Sequence, residues 1–283
     1  MSDRVVIEAN VIFGRTAERD LACEVFRPPA ATANGAGILL LHGGGWERGD
    51  RNQVRAFGMH LGREGFVCVA STYRLTPEAP WPAQIHDVHT AIRFMRDEAA
   101  VLGIDPTRIA AIGASAGGHL ALLAAGGAFA AGDDGTAKSL RAVVAIFPPT
   151  LLSPRDAMEE GAVPALALLG DGDTQEASTL ASPLHYVRPG FPPTLLLHGN
   201  ADALVPAKAS MRMYEALIAA RVPAELHMVA DQPHAYVLQR DFHRLSVQII
   251  ALFLRRYLGL RPDVTLPSTV TGVTGVTGAT PQA

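Results

Sequence analysis

Short, almost continuously apolar segments recur along the chain and predict β-strands. Eight of them are separated by more polar stretches: VVIEANVIF, LACEVF, GILLLH, FVCVAST, RIAAIGA, AVVAIF, TLLLHG and AELHMVA. Parallel strands covered on both faces of a sheet have this continuous apolar character, whereas strands with one solvated face alternate apolar and polar residues. The pattern therefore predicts eight strands, most of them inside a parallel sheet.

A second periodicity lies between these segments and predicts helices. Apolar residues recur every three or four positions in residues 84–98, 207–221 and 242–258. Strands that alternate with helices require crossover connections, so the sheet is expected to be mostly parallel, with helices on both faces. The first two strands have no helix between them and are predicted to form an antiparallel edge. The predicted fold class is α/β.

Two regions depart from this alternation. Residues 151–190 carry several prolines around one short apolar run, ALALL, and this irregularity predicts an insertion that forms a partial lid. Residues 261–283 are rich in Thr, Gly and Val and have too little apolar bulk to pack, which predicts a disordered tail. The expected organisation is one domain over residues 1–260, followed by this tail.

Composition and charge narrow the possible functions. Hydrophobic residues make up 48% of the chain, charged residues 18%, and the formal net charge is -3 without a basic run. This composition is typical of a folded globular protein and argues against nucleic-acid binding. Acidic residues interrupt the first apolar stretch and no apolar run is long enough to span a membrane, so a cytoplasmic protein without a membrane partner is expected. Cys23 and Cys68 lie in apolar strands and are predicted to be buried free thiols.

The most specific chemical motif follows the predicted strand RIAAIGA. Gly113-Ala114-Ser115-Ala116-Gly117 is a GxSxG sequence, and the next residues, HLALLAA, are typical of a helix. A GxSxG turn between a strand and a helix presents its serine as a nucleophile, and the glycines relieve crowding in a strained backbone. Ser115 is the predicted nucleophile.

A serine hydroxyl needs a base, and that base needs a carboxylate to orient it. Asp202 follows the strand TLLLHG and His234 follows the strand AELHMVA, which gives the chain order Ser, Asp, His of α/β-hydrolases. His198, at the end of TLLLHG, is expected to support the Asp202 loop. His185 is the main alternative base; the alternative acids are Asp171, Asp173 and Asp231, of which the first two precede TLLLHG and the third lies on another loop.

Three consecutive glycines, residues 43–45, follow the strand GILLLH between His42 and Trp46. Acyl transfer develops negative charge on the substrate's carbonyl oxygen, and preorganised backbone N–H groups stabilise that charge. Glycine allows bare backbone to approach a substrate closely. Gly44, Gly45 and Ala116 are the predicted oxyanion donors, whereas Gly43 is left open. No metal or organic cofactor is implied by this chemistry.

In combination, the motifs HGGGW, YRLTPEAPWPAQIHDV, GASAGGHLA, HGNADALVP and QPHAY resemble those of the α/β-hydrolase superfamily over roughly residues 20–258. Within it they are similar to the HGGG-type esterases, namely the hormone-sensitive lipase group and the acetyl-esterase-like (BD-FAE) branch. The resemblance implies the same roles for Ser115, Asp202 and His234, and the same oxyanion donors. Only 41 residues precede His42, which implies a small cap or none. Ala114 and Thr72 replace acidic residues of the lipase group and favour the acetyl-esterase-like branch.

The resemblance implies a serine carboxylic ester hydrolase that acts on small-molecule, short-chain esters of the acetyl type. An amidase, formamidase or peptidase of the same fold is the nearest alternative, and a binding protein without catalysis is a more distant one. The oligomeric state is left open, with a homodimer as one option. The resemblance also places Tyr73 and Arg74 beside the active-site loops; the alternative is a surface tyrosine and an ordinary ion pair. Trp46, Trp81 and the 151–190 insertion are candidate pocket walls.

Overall fold

A computed structural model describes residues 4–76, 78–130, 140–154 and 158–260 of the chain. Eight strands form one sheet in the order β1-β2-β4-β3-β5-β6-β9-β10. Their bounds are β1 Val6–Arg15, β2 Asp20–Arg27, β3 Gly37–Leu41, β4 Val67–Ser71, β5 Ile109–Ala114, β6 Leu140–Ile146, β9 Thr194–Gly199 and β10 Ala224–Val229. A separate short pair consists of β7 Leu152–Ser153 and β8 Val163–Pro164. The predicted tail, residues 261–283, lies outside the described residues.

The pairing of the strands confirms the predicted mostly parallel sheet. β1 pairs antiparallel with β2, and β2 pairs antiparallel with β4. The remaining neighbours in the eight-stranded sheet are all parallel. A tight turn joins β1 to β2, with the Thr16 N–H bonded to the Arg19 carbonyl at 3.0 Å, which is possible only between antiparallel strands. The predicted antiparallel edge is therefore also confirmed.

Helices cover both faces of the sheet. Their bounds are α1 Arg55–Arg63, α2 Ala83–Asp97, α3 Ala99–Leu102, α4 Ala116–Gly126, α5 Leu166–Leu169, α6 Gln175–Leu180, α7 Lys208–Ala219 and α8 Arg240–Tyr257. The helices predicted over residues 84–98, 207–221 and 242–258 correspond to α2, α7 and α8 within two residues at each end. The predicted eight-stranded α/β architecture is thus confirmed.

The alternation of side chains along the central strand β3 divides the core in two. Leu39 and Leu41 point into the cluster packed under α2, α4 and α7, whereas Ile38 and Leu40 point into the cluster under α1 and α8. Both clusters are buried. Side chains on the two faces of β3 therefore both need to be apolar. Cys23 and Cys68 are buried free thiols, as predicted.

Helix α1 is one of several elements that the apolar periodicity did not predict, together with the short helices α3, α5 and α6. Its sequence, RAFGMHLGR, contains two glycines, which lower intrinsic helix propensity. Gly58 faces the core, where an added Cβ would lie 2.7 Å from the Phe26 ring. The helix therefore forms because its bare face packs against β2, and the Asp50 carboxylate, which accepts a 2.7 Å hydrogen bond from the Asn52 N–H, starts the short 3-10 turn ahead of it.

The carboxyl ends of the parallel strands lie along one edge of the sheet. β3 leads into the glycine loop at His42, β5 into Ser115, β9 into the Asp202 loop and β10 into the His234 loop. The four segments that carry the predicted chemistry therefore emerge at the same edge. None of the described helices has the length and apolar character needed to cross a membrane.

Candidate active site

Ser115 occupies a sharp turn between β5 and α4. Its backbone has φ 53° and ψ -121°, a region that a residue with a side chain adopts only under strain. Gly113 and Gly117 make the turn possible, because an added Cβ at Gly113 would lie 2.1 Å from the Gly117 carbonyl oxygen. A Cβ at Gly117 would in turn lie 2.4 Å from the carbonyl oxygens of Leu41 and His42. The turn therefore packs directly against the end of β3, and there is no space for a side chain at Gly117.

The structure brings Ser115, His234 and Asp202 into one hydrogen-bonded row. Ser115 Oγ lies 3.0 Å from His234 Nε2, and His234 Nδ1 lies 2.6 Å from Asp202 Oδ2. With Nδ1–H donating to the carboxylate, Nε2 is left to accept the serine proton. The Asp202 side chain is fully buried, whereas the His234 ring is 16% exposed. This is the geometry that a nucleophile, its base and the group that orients the base require.

The Asp202 carboxylate is held by four donors. Oδ1 accepts the backbone N–H groups of Leu204 and Val205, each at 2.9 Å. Oδ2 accepts from His234 and also lies 3.2 Å from His198 Nε2. Burial by itself would raise the pKa of Asp202, but the hydrogen bonds from His198, His234 and the Val205 N–H outweigh it and hold that pKa well below its usual range. Asp202 is therefore ionised at all pH values at which the protein is expected to work.

His198, which was expected to support the Asp202 loop, lies in contact with that loop. Its Nδ1 accepts a hydrogen bond from the Ser210 hydroxyl at 2.7 Å, which leaves the proton on Nε2. That Nε2–H is shared between Asp202 and the Val205 carbonyl oxygen, 3.0 Å away. The ring thus connects the end of β9 and α7 to the acidic loop.

The glycine loop adopts a backbone that residues with side chains rarely reach. Gly44 has φ 120° and Gly45 has φ 62°. The Gly44 carbonyl accepts the Arg48 N–H at 3.1 Å, and a Cβ on Gly44 would lie 2.0 Å from the Arg48 carbonyl oxygen. Gly44, Gly45 and Ala116 line the same cavity as Ser115. The predicted oxyanion donors are therefore assembled beside the predicted nucleophile.

Tyr73 contacts the start of the glycine loop at His42. It is 1% exposed, its hydroxyl donates to the His42 carbonyl at 2.9 Å, and its ring stacks on the His42 ring with centroids 4.2 Å apart. The surface alternative for Tyr73 is therefore wrong.

Arg74 forms a bidentate ion pair with the buried Asp87, with Nη2–Oδ1 at 2.7 Å and Nε–Oδ2 at 3.0 Å. That pair fixes the start of the segment between β4 and α2.

A hydrogen-bonded link between Trp46 and His119 was not predicted from the sequence. Trp46 Nε1 donates to His119 Nδ1 at 3.2 Å, and His119 Nε2 donates to the Ala181 carbonyl at 2.7 Å. Burial lowers the pKa of His119 to about 4, against the opposing effect of the bond to Ala181. The neutral ring therefore ties the glycine loop to α4 and to the insertion. The only signal in the sequence was a histidine in an otherwise apolar helix.

A cavity of about 540 Å³ opens over Ser115. Its apolar lining comes from α1 and the turn ahead of it, from the insertion and from the loops after β6, β9 and β10: Val54, Phe57, Phe147, Pro149, Val163, Pro164, Leu204, Val205, Val237 and Leu238. Phe147, not predicted as a site residue, also packs on the His234 ring with centroids 4.4 Å apart. Trp46 lines the cavity, but Trp81 packs against Phe129 instead. Neither the alternative base His185 nor any of the three alternative acids lines it.

A mostly parallel eight-stranded sheet that carries serine, aspartate and histidine loops in this order defines an α/β-hydrolase. Comparison with known families agrees, because a model of the BD-FAE family matches residues 23–217. The chain belongs to the BD-FAE family.

Individual relatives are named esterases. "Probable carboxylic ester hydrolase LipM" of Mycobacterium tuberculosis is 30% identical over 75% of this chain and 50% of its own length. "Carboxylesterase NlhH" of the same species is 31% identical over 77% of this chain and 72% of its own. The chain spans about half the length of LipM. The solved structure of the esterase Est2 from Thermogutta terrifontis with butyrate bound is 25% identical, has a TM-score of 0.76, and matches 92% of this chain and 96% of its own.

Proposed function

We propose that this protein is a serine carboxylic ester hydrolase that cleaves short-chain esters through an acyl-enzyme. The observation that carries the proposal is the hydrogen-bonded row of Ser115, His234 and Asp202 at the mouth of a cavity lined by Gly44 and Gly45. The names of the relatives support the same class of reaction.

The proposed reaction begins when His234 Nε2 takes the Ser115 proton and Oγ attacks the ester carbonyl carbon. The carbonyl oxygen becomes an oxyanion, which the N–H groups of Gly44, Gly45 and Ala116 stabilise. As the carbon–oxygen bond to the alcohol breaks, His234 returns its proton to the leaving oxygen. Water then attacks the acyl-serine by the same route, and this step releases the acid and restores the hydroxyl.

Asp202 has two roles in this scheme. It holds the proton on His234 Nδ1, which keeps Nε2 available as the base, and its negative charge stabilises the imidazolium that forms during each half-reaction. Its low pKa serves both roles, because a protonated carboxyl group would accept the Nδ1–H bond more weakly and would carry no charge to stabilise the imidazolium.

The expected preference for short acyl chains is consistent with the size of the cavity. A volume of about 540 Å³ must hold both the acyl and the alcohol part of a substrate, and its walls are mainly apolar. Val163 and Pro164, from the 151–190 insertion, form part of this wall. The solved relative that binds butyrate supports the same size class.

The test of the function is a panel of p-nitrophenyl esters from acetate to laurate, together with acetylated xylose. We expect kcat/KM to fall beyond butyrate, and a Ser115→Ala variant to lose both turnover and labelling by a fluorophosphonate probe. Loss of the nucleophile typically costs about 10⁶-fold in kcat. An unchanged rate in Ser115→Ala would refute the proposal.

Two further comparisons make this test specific. His234→Gln should abolish turnover, whereas His185→Gln, which removes the alternative base outside the cavity, should not. N-formylkynurenine is assayed in parallel, because faster turnover of this amide than of any ester would assign the chain to the formamidases instead.

A further inference from the structure

The charge distribution in the active-site cavity is uneven. Among the described residues that line it, Arg48 is the one that carries a cationic side chain, and none carries an acidic one. The other lining groups are the backbone of the glycine loop, the Ser115 and His234 side chains, and apolar walls. Gln53 adds an amide to the same lining. A neutral, short-chain ester has no group that would need a guanidinium there.

Arg48 is attached directly to the proposed oxyanion loop. Its N–H donates to the Gly44 carbonyl, and its own carbonyl packs against the Cα of Gly44, where a Cβ would come within 2.0 Å. Its Cγ would lie 3.4 Å from that same Cβ position. The backbone and the start of the Arg48 side chain are therefore fixed against Gly44, and the residue lines the cavity that holds Ser115.

Arg48 has no partner among the described residues, although many arginines in this chain do. Arg55 bonds Glu24 at 2.9 Å and Arg74 bonds Asp87 at 2.7 Å, whereas the Arg48 guanidinium makes no ion pair or hydrogen bond within the described parts of the chain. The Gln53 side chain likewise makes no hydrogen bond there. Both residues are exposed, so their donors are available to a ligand that enters the cavity.

We propose that Arg48 and Gln53 bind a carboxylate on the substrate, so that the enzyme prefers esters bearing a carboxylate group over neutral esters of the same size. This inference rests on the ester hydrolysis proposed above. A guanidinium presents paired donors that match a carboxylate, and the amide of Gln53 adds a further donor. Val54 and Phe57 line the same cavity and give it an apolar wall. Arg48 is thus a specificity-determining residue.

The test uses two matched pairs of esters, because the carboxylate can lie on either side of the scissile bond. The acyl-side pair is p-nitrophenyl hydrogen glutarate and p-nitrophenyl methyl glutarate, corrected for spontaneous hydrolysis. The alcohol-side pair is 4-acetoxybenzoate and its methyl ester. At low ionic strength we expect the carboxylate ester to have the higher kcat/KM in one pair, by about threefold to tenfold, mainly through a lower KM. The pair that shows the preference identifies the side that faces Arg48.

Variants assign that preference to Arg48. Arg48→Gln should reduce the ratio of the two kcat/KM values to about one, and Arg48→Glu should bring it below one. Arg63→Gln makes the same change in net charge at an exposed position outside the cavity and should keep the wild-type ratio. Added salt should reduce the wild-type ratio, because exposed charges are screened within about 10 Å at 0.1 M.

Three results would overturn the inference: no preference for the carboxylate in either pair, a preference that persists in Arg48→Gln, or an equal loss in Arg63→Gln. Failure of the proposed function gives a different result, because the neutral methyl esters would then not be hydrolysed, or would be hydrolysed equally by Ser115→Ala.

Discussion

His198 and His234 direct ring N–H groups at the same oxygen of Asp202, at 3.2 and 2.6 Å. One histidine comes from the end of β9 and the other from the loop after β10. A buried carboxylate is costly unless several donors compensate for the water it has lost. His198 therefore supplies Asp202 with a donor that is independent of His234, and its contact with the carboxylate helps to lower the pKa of Asp202.

The first prediction concerns this second histidine. His198→Leu leaves both the Ser210 hydroxyl and the Asp202 carboxylate short of a buried partner, which should lower the free energy of unfolding by about 1–3 kcal/mol. We also expect kcat/KM to fall by about tenfold, because Asp202 then orients His234 less firmly. Urea denaturation and ester kinetics measure both effects, and His198→Gln, which retains a donor, should recover part of each. Wild-type stability in His198→Leu would show that the ring carries no such role.

The second prediction concerns the pH dependence of kcat/KM. The pKa of Asp202 in the folded protein lies well below its usual range. The ionised carboxylate therefore stabilises the folded state at pH values above the ordinary aspartate pKa. This stabilisation is lost only as the pH falls through the lowered pKa of the folded protein. Asp202 therefore stays ionised while the activity disappears on the acid side. We expect the logarithm of kcat/KM to fall with a slope no steeper than one, because Asp202 adds no protonation step of its own in this range. Initial rates from pH 4.5 to pH 9 test this, and a slope of two would reveal a second titrating group.

The third prediction concerns stability and the buried His119. Burial lowers its pKa from 6.5 to about 4, so the unfolded chain takes up a proton at a higher pH than the folded protein does. Its contribution to stability is therefore complete above pH 6.5 and declines as the pH falls towards 4, by roughly 2 kcal/mol at pH 5. Urea unfolding at pH 7 and pH 5 should show a smaller difference in His119→Gln than in the wild type. Equal differences in the two proteins would contradict this assignment.

The fourth prediction compares two adjacent glycines. Alanine at Gly44 would place its Cβ 2.0 Å from the Arg48 carbonyl oxygen, whereas alanine at Gly45 meets nothing within 4 Å. Both positions have positive φ, so Gly45→Ala costs backbone strain of about 1–2 kcal/mol, but Gly44→Ala must also displace backbone. We expect kcat to fall by about 10² or more in Gly44→Ala and by much less in Gly45→Ala. Circular dichroism and thermal denaturation verify that both variants fold; equal kinetic losses would show that the steric difference is unimportant.

The chain order of Ser115, Asp202 and His234 could be predicted because each residue lies on the turn or loop that follows a strand recognisable from local sequence. Parallel strands place their carboxyl ends at one edge, so the order of the loops was enough to bring the three residues together. The same reasoning located the glycine loop after β3. Helix α1 could not be predicted in this way, because its glycines disfavour an isolated helix. Only tertiary packing explains them, since Gly58 packs against Phe26 and Gly62 against Val5.

Partners of buried polar groups were harder to predict. The sequence gives His119 a donor and an acceptor but does not say that Trp46 and the Ala181 carbonyl satisfy them. Those partners lie 73 and 62 positions away, and they meet only because the insertion folds back beside α4. The same holds for Phe147, whose ring reaches His234 from the loop after β6.

By itself, therefore, the sequence determined the alternation of strands and helices, the strained serine turn and the bare backbone of the glycine loop. These features are local, because the spacing of apolar residues and the backbone freedom of glycine depend only on a few neighbouring residues. The tertiary structure decided which donors hold Asp202, what supports the glycine loop, and that Arg48 lines the cavity beside an apolar wall. These features depend on contacts between segments that are distant in the chain, and the packing of the sheet and its helices fixes which of them meet.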